Sequence, residues 1–168
     1  MPLPKEKDFR DQDLSKQKYD GSNLEGASFR DSDLLEAQFL RVQAAGADFS
    51  GSDLSRASIE GGDYTGADFR RSRLLWPSFK DVTLSKANFS AVNLSQCHLR
   101  GVRFDGANLS GAKIGPVAAC DFSGADLKGA DLSKMWDEGK SVWKGATYDK
   151  FTAWPAGFDP TAAGAVKQ

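Results

Sequence analysis

A beat of five residues constrains this chain more than anything else in it. Reading every fifth residue from Phe9 gives Phe9, Leu14, Tyr19, Leu24, Phe29 and so on to Ile114, and Ala44 is the only small residue in the run. Two positions before each of these, alanine dominates, as at Ala27, Ala37, Ala47, Ala57, Ala67, Ala87, Ala107 and Ala112. The residue between the two is usually Asp, Asn or Ser. A period of five matches neither the 3.6-residue repeat of a helix nor the two-residue alternation of a strand. Such a chain has to turn after every unit, and internal repetition on this scale sets the fold before any single residue does.

The units Ala47-Asp48-Phe49-Ser50-Gly51, Ala107-Asn108-Leu109-Ser110-Gly111 and Ala125-Asp126-Leu127-Lys128-Gly129 are similar to those of the pentapeptide repeat proteins. The resemblance covers about residues 7 to 134. It implies an all-β fold, a right-handed quadrilateral parallel β-helix of about six 20-residue coils, with the central apolar residue (i) and the small residue (i−2) of each unit pointing inward. One coil cannot bury its apolar residues alone, whereas stacked coils share a core and a backbone ladder. At a spacing of 20 the columns match like with like: Phe9, Phe29, Phe49, Phe69, Phe89 and Leu109 in one, Leu14, Leu34, Leu54, Leu74, Leu94 and Ile114 in the next.

Three places depart from the pattern. After Ile114 the next good unit is centred on Phe122, so a three-residue loop insertion is expected within Gly115–Ala119, with Phe122, Leu127 and Leu132 resuming the columns headed by Tyr19, Leu24 and Phe9. On that phase Cys97 and Cys120 stack in one column and touch, as buried reduced thiols rather than a disulfide, whose torsion parallel Cβ vectors suit poorly. The first coil has Lys7, Gln12 and Gln17 at its inward positions and should fray or be specially capped, because burying them is costly. From Met135 the composition shifts to Trp136, Trp143, Tyr148, Phe151, Trp154 and Phe158 with Pro155 and Pro160. The chain therefore divides into a repeat rod, 1–134, and an aromatic-rich capping tail, 135–168, that covers an otherwise open end. The run Trp154–Pro160 is similar to the ends of bacterial, especially cyanobacterial, members of the family.

Candidate chemistry is sparse. The single histidine, His98, lies at an outward position with no evident base partner, and most carboxylates sit where Asp and Asn make turns by bonding nearby backbone. No phosphate loop, dinucleotide fingerprint or metal-type spacing occurs, so no enzyme, cofactor or metal is expected. The 22 basic and 23 acidic residues nearly cancel, which implies neither a nucleic-acid partner nor a membrane surface. The start of the sequence lacks the apolar run of a signal peptide and no stretch approaches the length of a membrane span, so a cytoplasmic protein, monomer or dimer, is expected.

One irregularity suggests a site. In Leu74-Leu75-Trp76-Pro77-Ser78 the two outward positions hold Leu75 and Trp76. Leu35 shares a column with Leu75, Pro116 and Val117 fall near the same corner, and Leu40 lies nearby. These six residues form a candidate protein-binding patch, since exposed aromatics ringed by polar groups mark interfaces. The competing expectation is that the tail folds over them. The function expected is thus a non-enzymatic protein-binding or scaffold rod; the alternative implied by the resemblance is a DNA mimic that binds or protects DNA gyrase. Mixed charge speaks against the alternative: Asp8, Asp31, Asp48 and Asp68 share the Phe9 face with Arg10, Arg30, Arg70 and Arg71.

Overall fold

The computed structural model describes residues 7–138 and 140–168. Its strands are short and all paired in parallel: β1 (Lys18–Asp20), β2 (Gln38–Leu40), β3 (Ser58–Glu60), β4 (Ser78–Lys80), β5 (Asn93–Leu94), β6 (His98–Arg100), β7 (Lys113–Ile114), β8 (Val117–Ala118), β9 (Thr147–Tyr148) and β10 (Val166–Lys167). β1, β2, β3, β4, β6 and β8 form one six-stranded sheet along the Tyr19 face. The other three faces are mostly ladders of single bridges, such as Asp48↔Asp68 and Asp53↔Arg73, at intervals of 20 as far as Asn108, with the short pairs β5–β7 and β9–β10 added. The architecture is the expected quadrilateral β-helix, wound for about seven turns.

Each unit turns for a local reason. At the corners after the Phe9, Leu14 and Leu24 columns the N–H of residue i+3 returns to the carbonyl of residue i, as in Ala37 N to Leu34 O and Ala47 N to Ala44 O, both 3.0 Å. The residue before that donor sits at positive φ, as Asp31 at 56° and Gly46 at 66° do, which is what a type II turn requires. The aspartate at i−1 fixes the unit from outside, its carboxylate accepting the N–H two residues on; Asp48 to Ser50 and Asp53 to Ser55 are each 2.9 Å.

Inside, the columns stack. Rings of Phe9, Phe29, Phe49, Phe69 and Phe89 lie nearly parallel with centroids 4.5 to 4.9 Å apart, so the stacking distance is the coil spacing itself. Neighbouring columns meet edge to face, as Phe29 and Phe39 do at 6.0 Å. Ala44, the small residue of its column, lies directly beneath Tyr64, whose buried hydroxyl has no hydrogen-bond partner among the described residues. Burial pushes that phenol well above the usual tyrosine range.

The phase after Ile114 corrects the sequence reading. Val117 pairs with Leu99, and the bridges Arg103↔Asp121, Asn108↔Asp126 and Lys113↔Asp131 put Phe122, Leu127 and Leu132 on Phe104, Leu109 and Ile114. This coil is 18 residues, 108 to 126, so it is two residues short and contains no three-residue insertion. Val117 is the inward residue, three positions after Ile114. Cys120 therefore stacks over Val102, one column away from Cys97, and the expected contact between like positions in one column is lost. Both cysteines are free and buried. Burial raises the Cys97 thiol to about 12.

Pairing also continues past residue 134. Val142, Thr147 and Ala153 bridge to Asp121, Asp126 and Asp131, and Trp143 stacks on Phe122 at 4.3 Å. The tail is thus the last coil and the lid together: Phe158 lies flat on Trp154 at 5.1 Å and edge-on to Trp143 at 5.6 Å, and β10 pairs with β9 across the top. At the other end Phe9, Leu14 and Tyr19 are only half buried, and Gln12 and Gln17 face solvent, so these polar residues escape burial. Lys7 reaches to the Glu25 carbonyl at 2.9 Å. Among the described residues no helix is long and apolar enough to cross a membrane.

Candidate functional site

Two defects in the repeat meet at one edge. The first is Trp76-Pro77. Pro77 fills the buried inward position and has no N–H, so the Leu74 carbonyl lacks the turn bond that closes this corner in other coils. The thiol of Cys97, one coil on, approaches that carbonyl at 3.9 Å instead. Trp76 itself is held at φ 56°, a conformation unfavourable for a bulky residue, yet its indole stays 53% exposed. It gains no core burial in return.

The second defect is the short corner. Gly115 crosses directly over the coil below: a methyl group on it would lie 2.8 Å from the Ser95 carbonyl carbon. Pro116 and Ala118 then present small surfaces between the longer His98 and Arg100 below and Trp136 and Glu138 above. The result is a groove of about 550 Å³ with Trp76 and Trp136 on its walls and Pro116 and Ala118 in its floor. Trp136 is 55% exposed. On the other side of Trp76 a smaller depression of about 370 Å³ is lined by Leu35, Leu75, Asp53, Ser55, Arg56 and Arg73.

The six residues singled out from the sequence fare differently. Trp76 and Pro116 line the larger groove, and Leu35, Leu75 and Trp76 line the smaller. Val117 also borders the larger groove, but its side chain is a correction: at 2% exposure it is a core residue stacked on Leu99, because the short corner turns it inward. Leu40 is half buried on β2 and lines neither depression. The tail does not fold over Trp76; its Trp136 stands across the groove from it. Sequence reasoning missed Trp136, along with Gln96, His98 and Arg100. Reading the break after Ile114 as a deletion would have stacked Trp136 above Pro116 and found it.

The charges at this edge are looser than elsewhere. Arg70 donates to Asp68 at 2.6 Å and Arg10 to Asp8 at 2.7 Å, and the Arg10 hydrogen bond holds the Asp8 carboxyl down at about 2. Partial burial works to raise Asp68, but its bonds from Arg70 prevail and keep it below the ordinary range. Beside Trp76, by contrast, Arg73 reaches Asp53 only at 3.6 Å and Arg56 reaches Glu36 only at 3.7 Å, beyond hydrogen-bonding distance. Arg100 pairs across the sheet with Lys80, another cation, and has no carboxylate partner among the described residues. Among those residues no group of His, Cys, Asp and Glu is arranged to hold a metal.

The chain matches the family model described as pentapeptide repeats, in 8 copies over residues 8–51, 43–71, 78–114 and 118–135. The internal gaps in that match, 72–77 and 115–117, contain Leu75, Trp76 and Pro116. Among solved structures the chain is similar to QnrB1, a plasmid-mediated fluoroquinolone resistance protein, at 22% identity over 93% of this chain and 79% of that one, TM-score 0.33. A pentapeptide repeat protein of the Arabidopsis thaliana thylakoid lumen is 28% identical over 76% of this chain and 70% of its own, TM-score 0.30. The protein alr5209 of Nostoc PCC 7120 is 19% identical over 92% and 99%, TM-score 0.31. No curated protein sequence matches the chain.

Proposed function

The chain belongs to the pentapeptide repeat family, and on that premise we propose that it is a non-enzymatic protein-binding rod that docks its partner along the Trp76 edge. The observation that carries this reading is a coincidence of defects. The two segments where the repeat pattern lapses, 72–77 and 115–117, converge on one edge, and both flanking indoles stay more than half exposed. Elsewhere the rod hides its aromatics in columns, and the exposed exception is Phe151 of the tail, at 70%. Trp76 sits at the positive-φ turn position that Lys16, Glu36 and Arg56 occupy in the equivalent units, so the turn itself is ordinary and what is unusual is the exposed indole placed on it. A catalytic reading has less support: Cys97 and His98 both line the larger groove, but the thiol is buried, approaches the Leu74 carbonyl at 3.9 Å and bonds no base among the described residues.

The gyrase-directed DNA mimic has no comparable support. A phosphate backbone is uniformly negative. Here basic and acidic side chains pair on the same face, as Arg41 with Asp20 at 2.7 Å and Lys80 with Glu60 at 2.6 Å.

The test uses the wild type and a Leu75→Ser, Trp76→Ser double variant, both shown by circular dichroism to be folded, in affinity capture from the source cell. Any protein retained is then purified and its affinity for each form measured. A purified partner that binds the wild type and loses roughly tenfold or more on the double variant supports the reading. Equal binding by both forms refutes this edge as the interface.

A further inference from the structure

We propose that the Trp76 edge recognises an acidic peptide segment with an apolar anchor, the anchor seated between Trp76 and Trp136 and its flanking carboxylates held by Arg56, Arg73 and Arg100. This rests on the docking reading above and specifies the partner's chemistry. The argument starts from unspent donors. A guanidinium carries five N–H donors. Arg10 and Arg70 spend theirs on Asp8 and Asp68 through bidentate contacts. Arg56 and Arg73 have their nearest carboxylates at 3.7 and 3.6 Å and make no side-chain hydrogen bond among the described residues. Arg100 has Lys80 and Ala118 as its immediate ladder neighbours, so neither adjacent position offers it a carboxylate, and the ladder's nearest carboxylates, Glu60 and Glu138, lie one position further on. These three cations lie on both sides of Trp76, two in the smaller depression and one in the larger groove.

A second observation points the same way. Ser55, 6% exposed, lines the smaller depression with Arg56 and Arg73, and its buried hydroxyl has no hydrogen-bond partner among the described residues. Equivalent serines use theirs: Ser95 bonds Asn93 at 2.6 Å and Ser133 bonds Asp131 at 2.6 Å. A free donor beside two under-paired guanidiniums suits a carboxylate or a peptide carbonyl, since charge-assisted bonds of this kind are the strong ones. Two indoles facing across a groove with a floor of Pro116 and Ala118 then supply the apolar half of the recognition.

A nucleic acid strand also offers anions and stackable rings, but it fits less well. Its phosphates recur at every nucleotide, and along this edge they would meet Asp53 and Glu36 below Trp76 and Glu138 above it. A peptide places its carboxylates only where the arginines are.

The experiment is a selection of a random phage library of peptides about 12 residues long on the immobilised chain, with the folded Trp76→Ser chain as counter-selection. Enriched peptides are expected to carry a large apolar residue flanked by Asp or Glu. A synthetic copy of the best should lose roughly tenfold in affinity for an Arg56→Glu, Arg73→Glu variant and weaken as salt is raised. Enriched peptides that are neutral or basic would overturn the acidic assignment while leaving the docking edge intact. No enrichment over the Trp76→Ser chain would overturn the docking edge itself. A roughly 20-nucleotide oligo(dT) that binds the wild type more tightly than the selected peptide, and is lost on the same variants, would reassign the edge to nucleic acid.

Discussion

The first five coils and the last two are built from the same units, yet they behave as different objects. From Phe9 to Leu109 each coil takes 20 residues, the Phe9 and Leu14 columns stack like on like, and acidic and basic side chains share the faces. Beyond Leu109 the coils take 18 and then 21 residues, as the steps from Asn108 to Asp126 and from Asp126 to Thr147 show. The groove lies where the first of those changes meets the exposed Trp76, and the lid is made by the chain beyond the second. Regular repetition in a solenoid supplies stiffness and a shared core but leaves the outside uniform. Its departures from the period are what create concavity and expose aromatic surface.

That contrast can be broken or sharpened in four ways. The largest effect belongs to the regular half: Phe69→Ala removes a fully buried ring stacked on both neighbours and should cost about 3–5 kcal/mol in chemical denaturation. A loss under about 1 kcal/mol would mean that the stack contributes little beyond filling space. Next comes Gly115→Ala, expected to cost about 1–3 kcal/mol because the methyl group meets Ser95 backbone that cannot yield. Its control is Gly66→Ala, with open space around the new methyl but φ at 70°, expected to cost about 1 kcal/mol through backbone conformation alone. Equal losses would show that the short corner is not tightly apposed.

Restoring the period is the most direct probe. Inserting Ser-Asn between Gly115 and Pro116 returns the coil to the regular length at an exposed corner, where a short lengthening should change stability by less than about 1 kcal/mol. The same insertion should abolish binding of any partner that uses the groove, measured by calorimetry on the folded variant. Retained binding would detach function from the missing residues. The smallest effect is chemical. Cys97 ends the regular half and Cys120 begins the irregular one, in adjacent columns, so the unfolded, unreduced chain should show two free thiols. In the native state Cys97, with its thiol raised to about 12 by burial, should be alkylated far more slowly near neutral pH than a free cysteine. The reaction rate should climb as pH rises toward that value, because only the thiolate attacks.

Much of this was legible in the residues. Phe9 to Ile114 announce their columns, Ala44 beneath Tyr64 is visible as a small residue before a large one, and Trp76 stands out as an aromatic at an outward position. The lid was legible mainly as composition and as one last unit around Tyr148, since the steps from Leu132 to Trp143 and from Tyr148 to Trp154, 11 and 6 residues, are ones that the five-residue rule does not predict. Val117 was misplaced on the surface, and Trp136 was overlooked, for a single shared reason.

The sequence by itself determined the solenoid, because a residue that must be buried every five positions is satisfied only by a chain that turns every five and stacks. It could not determine the phase after Ile114. Eight residues separate Ile114 from Phe122, and that interval reads equally well as one unit with three residues added or as an inward Val117 followed by one unit. Both readings place apolar residues inside. Only the ladder between coils separates them, since Val117 must find Leu99 and Asp121 must find Arg103, and those partners lie about one coil away in sequence. Pairing across that distance is a tertiary fact, and it is what opens the corner beside Trp76.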